Sequence, residues 1–253
     1  MLGSVTDDAV AAPPLTPLPE DWQRALAIVA HPDDMEYGAA AAVARWTSQG
    51  KTVVYTLVTS GEAGIDGMAP EEAGPLRERE QVTAAALVGV DVVEFLGGAD
   101  GMLEYGLPLR RTLSAAIRRH RPEIVITGNF RDTFGPGVLN QADHIAVGRA
   151  ALDAARDAGN RWVFRELLEQ GLEPWSGVKA VWAAYSPDAE HGVDVTDHFA
   201  AGVASLKAHE AYLAGLGEQM DPEEFLESFA RVAGSRMGCR FAVPFEVFPI
   251  QLL

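Results

Sequence analysis

Apolar positions along the chain follow two spacings. Short apolar or β-branched runs, Leu26 to Ala30, Thr52 to Thr59, Val92 to Leu96 and Glu123 to Thr127, predict buried strands. Between them apolar side chains return every three or four positions, as at Ala39, Ala42, Val43 and Trp46, then at Leu109, Leu113, Ala116 and Ile117, which predicts helices. Gly50 sits where the first of these helices stops, and Pro75 to Leu87 supplies another before the third strand. Regular alternation of strand and helix predicts an α/β fold, an open, mostly parallel sheet with helices on both faces.

Past Thr127 the pattern loosens. Gly128 to Gln141 is an irregular stretch longer than most connections, which marks it as a functional or mobile loop. It delivers Asp143 and His144 to the first turn of a helix that Gly148, Ala151, Leu152 and Ala155 continue. Further on, Arg161 to Gln170 reads as a short helix, Val178 to Tyr185 as a strand, and Val193 to Thr196 as an extended piece leading to a helix through Ala208. Glu223 to Ala233 is helical by composition, and Phe241 to Leu253, with Pro244 and Pro249, reads as an edge strand or a closing strap. No internal repeat or linker divides the chain, so a single domain over 23–253 is expected. Residues 1–22 are expected to be a flexible arm, lying on the domain or trailing from it, because Ala11 to Pro19 holds four prolines and few large apolar groups.

Composition narrows the function classes. The formal charge of −16 argues against a nucleic-acid partner and against an anionic membrane surface. The basic run Arg118-Arg119-His120-Arg121 is read as the solvated end of a helix. Cys239 is the one cysteine, which excludes an intrachain disulfide and a thiolate metal cluster, so any metal takes nitrogen and oxygen ligands. Nothing resembles a signal peptide or a bilayer span, and a cytoplasmic setting is expected.

The stretch His31-Pro32-Asp33-Asp34 follows directly on the first strand, at the carboxyl end where open α/β sheets gather ligands. His31 and Asp34, three apart across a turn stiffened by Pro32, can converge on one ion. Asp33 is then the better candidate to take a proton from a water. The plainer alternative is a polar turn in which Asp33 or Asp34 caps the next helix. His144 lies at an equivalent position after another parallel strand, so two such sites can face each other. The glycine-rich loop Ser60 to Gly67 emerges at the same end and is a candidate pocket wall. It lacks the glycine-lysine ending of a phosphate loop.

These residues together resemble the LmbE-like, or PIG-L, family of zinc-dependent N-deacetylases, which includes de-N-acetylases of glucosaminyl-inositol compounds and the amidase that cleaves mycothiol conjugates. His31 to Gly38 is similar to the first signature of that family and Asp143 to Gly148 to its second. Thr59 to Glu62, Leu76 to Glu80 and Phe95 to Asp100 fall between them in the right order, with Asp194 to Thr196 and Lys207 to His209 as weaker marks downstream. The resemblance implies a Rossmann-like, LmbE-like domain and one Zn2+ per chain held by His31, Asp34 and His144. It implies Asp33 as base in hydrolysis of an N-acyl, in first place N-acetyl, amide on an amino sugar or related small metabolite. Two imidazoles, one carboxylate and an open position are a catalytic rather than a structural zinc arrangement. Arg77 and Asp100 are candidate substrate-binding residues. Arg77 with Glu80 is equally an ordinary helix pair, and Asp100 equally a loop cap. Asp143 is expected as a supporting residue, an N-cap or an orienter of a neighbour.

The chain also departs from the family. Where many members carry a histidine three positions before the second metal ligand, this chain has Gln141, which can donate a hydrogen bond but cannot shuttle a proton. Asp33 would then handle both proton transfers, with Gln141 left as an oxyanion donor. His209 is followed by Glu210 and Ala211 where the family has a serine-glutamine pair. His191, His198 and His209 are read as surface or structural. Two further readings stay open. One is a binding or structural protein that keeps the zinc site but has lost efficient turnover through Gln141. The other is an oxygenase using the same ligands for ferrous iron, which the adjacent Asp33 disfavours. The expected partner is a small N-acylated molecule, with self-association left open.

Overall fold

The computed structural model describes residues 12–135, 137–217 and 220–250. In chain order these form β1 (Thr16–Pro17), β2 (Arg24–Val29), α1 (Asp34–Gly38), α2 (Ala40–Ser48), β3 (Thr52–Thr59), α3 (Pro70–Leu87), β4 (Val92–Gly98), α4 (Leu107–His120), β5 (Ile124–Thr127), β6 (Thr133–Gly135), β7 (Val138–Leu139), α5 (Ala142–Asp157), α6 (Glu166–Glu169), β8 (Ala180–Ala184), β9 (His191–Asp194), α7 (Phe199–Lys207), α8 (Glu210–Gly215), α9 (Pro222–Met237) and β10 (Ala242–Pro249). Eight strands join in the order β1-β9-β10-β8-β5-β2-β3-β4, and β6 with β7 makes a separate hairpin. Neighbours in the large sheet are parallel except where β10 pairs with β8 and β9.

The alternation along β2 explains why both faces are covered. Ala25, Ala27 and Val29 enter a core with Met35, Val43, Trp46 and Tyr55 under α1 and α2. Leu26 and Ile28 enter a second core with Leu113 and Ile117 of α4 and Val147 and Ala151 of α5. A parallel strand buried on both sides needs apolar residues at every position, which is how β2 reads. The sheet is thus the mostly parallel, two-faced α/β sheet that the periodicity predicts. Chain order runs outward from β2 to β3 and β4, then returns to the other side of β2 as β5. The gap between β2 and β5 is therefore the switch point where such sheets open a crevice.

Four local expectations are corrected. Within the expected arm, residues 1–11 lie outside those described, but Leu15, Leu18 and Trp22 are buried and β1 pairs with β9. Apolar side chains spaced among the prolines dock this segment on the sheet edge. Phe241 to Ile250 is neither an edge nor a strap: β10 lies between β8 and β9, with Phe245 fully buried. The carbonyl of Pro244 accepts the Tyr185 N–H just past the end of β8, so the proline is accommodated where that ladder runs out. Helix α3 begins at Pro70, a proline in the first turn, and continues through Pro75. Finally, Arg118 is 2% exposed instead of solvated, its guanidinium donating to the carbonyls of Ala158, Asn160 and Val163.

Candidate metal centre

His31 leaves the end of β2 and His144 stands in the first turn of α5, beyond β5, so the two imidazoles meet across the switch point. His31 Nδ1 lies 3.3 Å from His144 Nε2, and His144 Nε2 lies 3.0 Å from Asp34 Oδ1. His31 Nδ1 is 3.7 Å from Asp34 Oδ2. Ligands ~2.0–2.2 Å from a tetrahedral zinc ion stand ~3.3–3.6 Å apart, so this donor set fits the ion. Its chemistry fits too, with two imidazole nitrogens and one carboxylate oxygen converging from the turn between β2 and α1 and from the first turn of α5.

Each ligand is held by a partner behind it. Ala30 and His31 donate their backbone N–H groups to Asp34 Oδ2, both at 2.9 Å, so Asp34 is fixed by its own loop rather than capping α1. His144 Nδ1 donates to Asn140 Oδ1 at 3.0 Å, which turns Nε2 toward the centre. The Asn140 amide is itself pinned, its Nδ2 donating to the carbonyls of Asn129 and Arg131. Behind His31, Nε2 is 3.0 Å from Asp100 Oδ1 and 3.3 Å from Asp143 Oδ2. Asp143 also accepts from the N–H groups of Gly101 and Leu103, tying the loop after β4 to the start of α5.

Asp33 occupies an unusual backbone position, φ 87°, in the left-handed region that few non-glycine residues adopt. Its N–H donates to Gln81 Oε1 at 2.9 Å, and Gln81 Nε2 donates to Glu36 Oε1 at 3.1 Å. Its carboxylate receives Arg77 Nη2 at 2.7 Å. Arg77 is 2% exposed, donates as well to the carbonyls of Pro32 and Gly61, and lies 4.2 Å over the Tyr212 ring. A Cβ at Gly61 or Gly64 would collide with this guanidinium, which is why the 60–67 loop is glycine-rich. Arg77 is therefore paired with Asp33, while Glu80 turns away to accept the Ala211 N–H.

Charge at the centre is set by burial and proximity. Burial pushes the Asp33 carboxyl up to about 7, Arg77 opposing the rise and Asp34 adding to it. Burial works the same way on Asp34, but the two imidazoles outweigh it and hold its carboxyl far below the usual range. His31 is raised to about 11: burial disfavours the cation, and the hydrogen bonds it donates to Asp100 and Asp34 overcome that. His144 is raised against its burial by Asp34. Burial and the nearby Asp33 carboxylate push the Tyr212 hydroxyl up, so it stays neutral.

A cavity of about 760 Å³ opens over these residues. His31, Asp33, Asp34, His144, Arg77, Asp100 and Gln141 line it, so seven of the eight site residues expected from sequence share one cavity, with Asp143 buried behind. Gln141 stands at the N-cap position of α5, its side chain making no capping bond. Sequence reading missed Asn140, Gln81 and Tyr212. Asn140 had a signal, lying one helical turn before His144, whereas Gln81 and Tyr212 reach the site only through packing of α3 and α8. His209, read as untied to the first signature, is fully buried with Nε2 3.5 Å from Glu36 Oε2 of that signature.

The fold and the centre place this chain in a known class. The PIG-L profile, described as GlcNAc-PI de-N-acetylase, matches residues 26–155, and the chain belongs to that family. Within it, the chain is 29% identical over 232 residues to the diacetylchitobiose deacetylase of Thermococcus kodakarensis, covering 90% of this chain and 84% of that protein. It is 27% identical over 273 residues to the 1D-myo-inositol 2-acetamido-2-deoxy-alpha-D-glucopyranoside deacetylase of Mycolicibacterium vanbaalenii, covering 84% and 93%. The structure of N,N'-diacetylchitobiose deacetylase from Pyrococcus horikoshii superposes with a TM-score of 0.82 at 24% identity, over 91% of this chain and 85% of that one, which fixes the likeness of fold. Among the described residues no helix is long and apolar enough to cross a membrane.

Proposed function

We propose that this chain is a zinc-dependent deacetylase that hydrolyses an N-acyl, in first place N-acetyl, amide of an amino sugar or related small metabolite, an amidase of non-peptide C–N bonds. The observation that carries the reading is the convergence of His31, Asp34 and His144 beside the buried Asp33 carboxyl. Its relatives, named as deacetylases of acetylated amino-sugar compounds, support the substrate class.

His31 Nδ1, Asp34 Oδ1 and His144 Nε2 would hold the ion. When bound, zinc supplies Lewis acidity toward an amide carbonyl and makes a water more acidic near neutral pH. Asp33 is placed to receive the proton of the attacking water and, as a carboxyl group, can both take and return a proton. Arg77 donates to Oδ2 of the same carboxylate and so holds it in place. Gln141 can donate to the developing oxyanion but not carry a proton, so Asp33 passes its proton to the leaving nitrogen. We assign Asp100 and Asp143 to orienting His31, and Arg77 to steadying Asp33. The reading is tested by replacing Asp33 with Asn and measuring metal content and free-amine release together. About one zinc per chain with release lowered at least ~100-fold is expected; unchanged rates refute the base, and protein that takes up no zinc refutes the centre.

A further inference from the structure

The cavity has two chemically different halves. Its ionisable side chains come from the loops after β2 and β4, from α3 and from the start of α5. The opposite wall, on the side of β2 toward β8, is built from Tyr37 of α1, Tyr185 just past β8, and Phe225 and Phe229 of α9. These four rings are continuous. Tyr37 and Phe225 meet with ring centroids 5.6 Å apart, Phe225 and Phe229 at 5.0 Å, and Phe229 and Tyr185 at 6.2 Å.

Three observations mark this wall as a binding surface. Phe225 and Phe229 are 36% and 49% exposed although they sit one turn apart on the same helix face, so a contiguous aromatic patch is left open to water. Tyr185 joins it from φ 52°, a left-handed position that is uncommon for a bulky residue and that persists where surroundings impose it. Among the described residues no charged side chain lines this half, and Arg77, the one guanidinium they bring to the cavity lining, is already paired with Asp33. A wall of this kind shields an apolar group well.

We infer that the substrate carries an apolar substituent, aryl or alkyl, that seats against Tyr37, Tyr185, Phe225 and Phe229. The inference rests on the deacetylase reading for where the amide sits, and it deepens that reading by naming the substrate class. The substituent has two sources, an N-acyl chain longer than acetyl or an apolar aglycone on the sugar.

The test compares kcat/KM for amine release from N-acetylglucosamine, phenyl N-acetylglucosaminide and N-octanoylglucosamine in the zinc-loaded parent, Phe229→Ala and Phe229→Trp. One substituted compound is expected to exceed N-acetylglucosamine by about tenfold or more, the return for burying part of an apolar group. A gain in the phenyl arm assigns the wall to an aglycone, and a gain in the octanoyl arm assigns it to the acyl chain. Phe229→Ala should bring the ratio toward one and Phe229→Trp should keep it. Equal kcat/KM for all three compounds, or a ratio that Phe229→Ala does not move, overturns the inference. No amine from any compound would refute the deacetylase reading instead. Calorimetry then decides the wall: phenyl N-acetylglucosaminide binding no tighter than N-acetylglucosamine overturns it, and tighter binding lost in Phe229→Ala sustains it. Val232, 65% exposed, follows on the same helix, so sedimentation is run alongside. A parent dimer that Phe229→Ala dissociates, with no substrate preference, gives the wall to a second copy and overturns the inference.

Discussion

The left-handed backbone at Asp33 directs its carboxylate toward Arg77 while its neighbour Asp34 faces the imidazoles, two adjacent side chains with separate tasks. A residue held there costs of order 1–3 kcal/mol unless its surroundings fix it. Gln81 does so by accepting the Asp33 N–H inside the protein. Gln81→Leu should leave that N–H unpaired at a cost of ~1–3 kcal/mol. Loosened geometry should lower kcat by about tenfold with bound zinc per chain unchanged, which steady-state kinetics and metal analysis read separately. Protonation at His31 gives a second prediction. Asp100 and Asp34 raise this imidazole to about 11, so before an ion binds it carries its proton at neutral pH, and ligation must expel it. The sign follows: apparent metal affinity rises as pH rises, by roughly tenfold per unit between about 7 and 9. Calorimetry in buffers of different ionisation enthalpy should record release of about one proton per ion.

Elements divide into those that carry their own signature and those defined by contact. Strand β2 and helix α5 were legible because apolar periodicity fixes them, and the convergence of His31, Asp34 and His144 was legible because side chains just beyond the carboxyl ends of parallel strands can face each other. The docking of Leu15 and Leu18 and the central place of β10 were not, since prolines in a short run give no period and only partner strands decide their position. Tyr212 and Gln81 were missed for the same reason: each is an ordinary helix residue until α8 and α3 carry it to Asp33. Arg118 belongs here as well. From α4 it satisfies carbonyls of the segment between α5 and α6, a role that looks like surface charge in sequence. Arg118→Met keeps the apolar stem and removes those donors. Losing several buried hydrogen bonds should cost ~2–4 kcal/mol, lowering the melting temperature by roughly 5–10 °C. The kcat per folded molecule should hold, since Arg118 touches nothing in the cavity.

For the whole molecule, a net charge of −16 surrounds a cavity whose guanidinium is already paired. Long-range repulsion should slow the approach of anionic substrates, and salt should relieve it as the screening length shortens to ~8 Å at physiological ionic strength. The kcat/KM for an anionic acetylated sugar should therefore rise several-fold between roughly 0.01 and 0.15 M salt, whereas that of a neutral sugar should stay level. A salt-independent rate for the anionic compound would contradict this.

The insertion of β10 between β8 and β9 also orders events during synthesis. The strands that lead into the candidate metal centre, β2 and β5, are contiguous with β3, β4 and β8 and can assemble as soon as β8 has left the ribosome. Neither β9 nor β1 has a place until β10 is made, and until then β8 presents an open edge to other chains. Tyr185, whose N–H bonds Pro244 of β10, takes its final position in that same late step. A nascent chain stalled before residue 242 would thus hold the ligand half of the cavity without its finished aromatic wall.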